Sequence, residues 1–154
     1  MRRQFEYTTL CEREGVAFRK PCIGVVLSRD DGRPNALHSF EITALIDTGS
    51  DLCLFDWAIA TYMNIDPKII GQPTEVGGFS GTQNIYLVSD IKIAVPSLNR
   101  WFSVTAGFGM FSGGIGGVLG HRGFLDHVSV TFTMGEHFEF VDDDPAPVFP
   151  LHPA

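Results

Sequence analysis

The chain has 154 residues, 44% of them hydrophobic and 19% charged, which fits one domain with a real core and is too little for two. Eighteen acids against 11 bases give a formal charge of −7, and no Lys/Arg cluster exceeds the pair Arg2-Arg3, so no nucleic-acid partner is expected. No stretch approaches 18 consecutive apolar residues, and the basic start never reaches an apolar signal core; no membrane is expected, and the chain reads as cytoplasmic.

With 17 Gly and 13 Phe, many tight turns between apolar strands are expected, and hence a mainly β fold. Residues 1–20 are polar and mixed and read as an N-terminal arm, flexible or ordered by a partner. The first strong strand is Cys22-Ile23-Gly24-Val25-Val26-Leu27. The turn formers Asp30-Asp31-Gly32-Arg33-Pro34-Asn35 follow, and Leu37 to Ile46 reads as the second arm of a hairpin. Beyond Asp47-Thr48-Gly49-Ser50, Leu52-Cys53-Leu54-Phe55 is a short apolar strand. Asp56 then suits the N-cap of a helix through Met63, and Pro67 limits its extent.

Residues 74–79 and 83–95 predict two strands joined by a glycine-rich tip that includes Gly77, Gly78 and Phe79. Trp101 to Thr105 is a further strand, ahead of a glycine-rich loop over 107–117 and the apolar Val118-Leu119. After Gly120 a short helix through Phe124-Leu125-Asp126 is expected. A last hairpin pairs Val128–Phe132 with His137–Val141, alternating apolar and polar. Residues 142–154 hold three successive aspartates and four prolines and read as an acidic, Pro-rich tail outside the domain 21–141.

The chemistry concentrates on Asp47. An apolar strand, Ile42 to Ile46, breaks into an Asp-Thr-Gly-Ser turn, which fixes a carboxylate at the strand's end among residues small enough for a second chain to approach. One such acid does little alone. Two of them a few ångströms apart cannot both ionise, so they share a proton, one serving as base and the other as acid.

Ala44-Leu45-Ile46-Asp47-Thr48-Gly49-Ser50, followed by a helix, a Gly-tipped hairpin and Val118-Leu119-Gly120 with Phe124-Leu125, resembles the retropepsin-like aspartic proteases over about residues 21–141. The resemblance implies a closed, mainly β barrel or sandwich with one or two short helices. It also implies a homodimer, because this chain holds a single Asp-Thr-Gly and the second acid would come from a symmetry mate. In that likeness Asp47 and its mate activate a water against a peptide carbonyl, with neither cofactor nor metal. Thr48 would hydrogen-bond across the axis, Gly49 would permit the close backbone approach, and the Ser50 hydroxyl would donate to a carboxylate oxygen. Gly77, Gly78 and Phe79 would form a flap over an extended peptide or protein substrate. Val118, Leu119 and Gly120 would support the acidic turn from behind. Many relatives follow that glycine with Arg, whereas here the order is Gly120-His121-Arg122-Gly123, and Arg122 is the expected replacement.

Other motifs carry less. The glycines from 113 to 120 lack the Gly-Lys-Ser/Thr ending of a phosphate loop. Cys11, Cys22 and Cys53 are odd in number and without C-x-x-C spacing, which fits free thiols. His38, His121, His127, His137 and His152 have no metal-ligand spacing and read as surface or strand residues. Trp57, Tyr62 and Met63 read as core. The alternative to proteolysis is a non-catalytic dimeric module that binds a peptide or protein with the same fold.

Overall fold

In the computed structural model, which describes residues 2–29, 37–78, 81–111 and 114–141, the apolar runs bounded by turn formers become strands. The chain is mainly β, with two short helices. The strands are β1 (Arg2–Glu6), β2 (Thr8–Arg13), β3 (Val16–Lys20), β4 (Cys22–Arg29), β5 (Ile42–Ile46) and β6 (Leu54–Asp56). After the helices α1 (Trp57–Tyr62) and α2 (Pro67–Ile70) come β7 (Gln72–Gly78), β8 (Gly81–Val95), β9 (Arg100–Gly109), β10 (Gly117–Leu119), β11 (Ser129–Thr133) and β12 (His137–Val141). The turn at 30–36 and the tail at 142–154 lie outside the described residues.

Six strands pair into a closed ring in the order β4, β5, β10, β6, β9, β8 and back to β4. β4 closes it by changing partner along its length. Cys22–Val25 pair with β5, and Val26–Arg29 pair with Ile91–Ala94 of β8. Beside Leu27 the ring is continued by Ser39, whose hydroxyl accepts from the Leu27 amide at 2.8 Å while its own amide donates to the Leu27 carbonyl. That exchange lets a buried serine stand in the core wall without an orphaned polar atom. β7 hangs from the outer edge of β8 as a hairpin.

Alternation decides what the ring encloses. Ile23, Val25 and Leu27 of β4, Ile42, Ala44 and Ile46 of β5, and Phe55, Ile91, Ile93 and Phe108 all point inward and are buried. Apart from Ala44, each such side chain contributes roughly 1.5–3 kcal/mol of transfer free energy. Gly107 lies in β9 because Leu54 Cδ2 and Ile85 Cδ1 fill the space at 2.6 and 2.7 Å from where a Cβ would stand. The loop expected over 107–117 is shorter for that reason, since β9 runs to Gly109.

A second aromatic layer covers one end. The three-stranded sheet β1-β12-β11 packs Phe138 and Phe140 beneath Phe5, with ring centroids 5.4 and 5.8 Å apart, and Phe124 bridges from Phe102 to Phe140. Residues 2–20, which the mixed polar composition does not mark as strands, thus contribute β1 to a packed sheet and fold β2 and β3 into a hairpin. Asp56 caps α1 as expected, accepting from the Ala58 amide at 2.8 Å, and its second oxygen takes the Phe111 amide at 3.1 Å. Met63 joins the core, but Tyr62 does not: it is over half exposed and meets Phe40 edge-on at 5.2 Å. A six-residue helix has room for one buried face, and Ile59 and Ala60 occupy it.

Candidate active site

β5 ends at Ile46, and the backbone carries Asp47 into a tight turn. The Asp47 carboxylate oxygen Oδ1 accepts the Gly49 amide at 2.9 Å, and the Asp47 carbonyl accepts the Ser50 amide at 3.2 Å. Aspartate two residues before glycine makes this turn locally, because its side chain mimics a backbone acceptor. The Ser50 hydroxyl does not meet the carboxylate as the family likeness implied; it donates to the Leu52 carbonyl at 2.8 Å. The Gly49 amide holds the acid instead. Asp47 is half-buried, whereas Thr48 and Gly49 are exposed at the apex.

β10 is inserted between the two strands that flank this turn. It runs parallel to β5, with Leu119 beside Ile46, and antiparallel to β6, with Val118 beside Leu54. Leu119 then accepts the Asp47 amide at 3.1 Å, and the amides of His121 and Arg122 donate to the carbonyls of Ser50 and Asp51 at 2.9 and 3.0 Å. The acidic turn is therefore held along its length by a backbone segment about seventy residues later. Gly120 makes the approach possible, since a Cβ there would stand 2.5 Å from the Ser50 carbonyl oxygen and closer still to that of Leu52.

Side-chain support comes from His121, which is exposed at the surface as its lack of metal spacing suggested. Its Nε2 meets the Thr48 carbonyl oxygen at 2.8 Å. A carbonyl can only accept, so Nε2 carries the proton in this contact. Arg122 supplies a backbone amide to the turn, while its side chain lines the cleft in front. The sequence signal for His121 was its place directly after the glycine that touches the turn.

Cys53 lies behind the same segment, fully buried, with Sγ 3.7 Å from the Arg122 carbonyl and 4.0 Å from that of Gly120. Burial pushes its thiol up to about 11. Cys22 is raised too, by burial first and against the attraction of Lys20. Cys11 is exposed, and all three thiols are free.

The turn, the inserted segment and the β7 strand share one cleft of about 630 Å³. Asp47, Gly49 and Ser50 line it together with Gly77, Gly78, Val118 and Arg122. Phe79, expected at the flap tip, lies outside the described residues. Leu52, Leu54, Val76 and Val118 give the cleft apolar walls, while Asp51 and Glu75 add two carboxylates to that of Asp47. Among the described residues no three His, Cys, Asp or Glu come together as a metal cluster, and no helix is long and apolar enough to cross a membrane. No protein-family model matches the sequence, and no curated protein does.

Proposed function

We propose that this chain is an aspartic endopeptidase with a retropepsin-like fold, acting as a homodimer on extended peptide or protein substrates. The observation that carries this reading is the cleft itself, where an Asp-Thr-Gly turn, the glycine segment that braces it and a glycine-rich hairpin strand face one another. The exposure of Thr48 and Gly49 at the apex leaves that turn accessible to a second copy.

In this reading the two Asp47 carboxylates hold a water and share one proton. The ionised member takes a proton from the water as its oxygen attacks the peptide carbonyl carbon, and the protonated member gives its proton to the carbonyl oxygen. The resulting diol collapses as the protonated carboxyl gives its proton to the leaving nitrogen and the other carboxylate takes one from a diol hydroxyl, so the C=O reforms, the C–N bond breaks and the dyad again holds one proton. Gly77 and Gly78 lie where the β7 backbone can pair with the substrate's own amides.

Asp47→Asn tests it. Purified protein is incubated with a mixed peptide library from acidic to neutral pH, and products are read by mass spectrometry. Cuts by the parent chain that fall at least a thousandfold in the variant, with its circular dichroism unchanged, support the reading; undiminished cuts in the variant exclude it. A stable peptide complex with no product would favour the binding module instead.

A further inference from the structure

Residues 8–20 form a feature that the acidic site does not use. β2 and β3 pair with each other and with no other described strand, and all eleven strand residues are exposed except the half-buried Leu10. A two-stranded ribbon alone is at best marginally stable in water. The register, Cys11 opposite Phe18 and Arg13 opposite Val16, puts Cys11, Val16 and Phe18 on one face, with Arg13 and Lys20 beside them. Val16 and Phe18 are 58% and 45% exposed there, so the ribbon displays an apolar patch flanked by two bases, which no other described strand covers.

Its position is as informative as its surface. The Pro21 carbonyl accepts the Ile46 amide at 2.9 Å and Cys22 pairs with Leu45, so the ribbon leaves the body beside the residue that precedes Asp47. Its other root is fixed, because the Tyr7 amide donates to the Glu136 carbonyl at 2.8 Å and the Tyr7 ring meets Phe138. Charge divides the same way. Residues 8–20 hold three bases and two acids, a surplus of one positive charge, whereas the other residues hold eight bases and sixteen acids, a surplus of eight negative.

We propose that the β2–β3 ribbon is an arm that grips a second copy of this chain, laying its Val16 and Phe18 face on that copy's acid-rich body beside the paired Asp47 turns. The inference rests on the dimeric reading of the site, which is incomplete without a second acid. A basic ribbon on an acidic body gains attraction that salt screens, and the apolar face gains burial that salt leaves intact. The arm also offsets the repulsion expected where two acidic clefts meet.

The test is sedimentation of the full chain across a concentration series, with hydrogen exchange of the amides at 8–20 as second readout. Val16→Asp with Phe18→Asp should raise the dimer dissociation constant at least tenfold with unchanged circular dichroism, and Arg13→Glu with Lys20→Glu should raise it severalfold at low salt only. Ribbon amides should gain protection in step with the dimer fraction. A dimer indifferent to both double variants, or ribbon amides that exchange equally fast at every concentration, overturns the proposal; so does protection that appears only with added peptide. Asp47-dependent cleavage by a dimer indifferent to these variants removes the arm and leaves the protease standing. A dimer dissolved by them that never cleaves keeps the arm and removes the protease.

Discussion

His121 Nε2 lies 2.8 Å from the carbonyl oxygen of Thr48, a residue 73 positions earlier in the chain. This contact joins the apex of the acidic turn to the segment behind it. His121→Ala should cost about 1 kcal/mol of stability, the worth of one exposed hydrogen bond, yet lower kcat tenfold or more by loosening the placement of Asp47. Steady-state kinetics beside thermal melting separates the two effects. A loss in melting temperature alone would mean the contact serves only the fold.

Gly120→Ala should be far more harmful than its size suggests. Its methyl would meet two backbone carbonyls rather than a side chain that can swing away, so the acidic turn or β10 must shift. The expected cost is about 3 kcal/mol, the upper end for overpacking because both neighbours are backbone, or roughly 6–12 °C in melting temperature for a domain of this size. Calorimetry of the variant checks it.

Phe124→Ala should cost about 3–5 kcal/mol, because the ring is fully buried between Phe102, at 4.7 Å, and Phe140, at 6.0 Å. Urea unfolding measures that directly. Phe132→Ala, on the neighbouring hairpin but exposed, should cost less than a third as much.

Cys53 sets an alkaline limit. Its thiol ionises near 9 when unconstrained and at about 11 in the fold, so between those values the unfolded chain has released a proton that the folded chain keeps. The contribution is complete below pH 9 and is lost as pH rises towards 11, a fall on the order of 2–3 kcal/mol. Urea midpoints measured at pH 8 and pH 10.5 should drop less in Cys53→Ala than in the parent. An equal drop in both would place the alkaline sensitivity elsewhere.

The parts of this architecture that local pattern governs were legible from residues alone. Asp47 at a strand's end, the cap at Asp56, the paired strands on either side of the Gly77-Gly78 tip and the last hairpin follow from alternation and turn chemistry. The arm was not, because β1 is a strand only by virtue of Phe138 and Phe140 beneath Phe5, and no local rule announces a partner 130 residues away. Tyr62 misled for the opposite reason, since helical spacing names a face but not which side of it is covered. Within the site, the donor to Asp47 was misassigned to the Ser50 hydroxyl because spacing cannot tell whether a hydroxyl turns forward or back. His121 was passed over because a lone histidine has meaning only through the carbonyl it reaches.

The strand that braces Asp47 is synthesised long after the acid itself. Until residues 117–122 emerge and slot between β5 and β6, the turn lacks its backing and the carboxylate has no fixed bearing. Parallel pairing over such a separation is slow to form, so a nascent chain carries Asp47 without its backing through most of its translation. Because β10 is also the strand that joins β5 to β6, Asp47 gains its backing only as the ring itself closes.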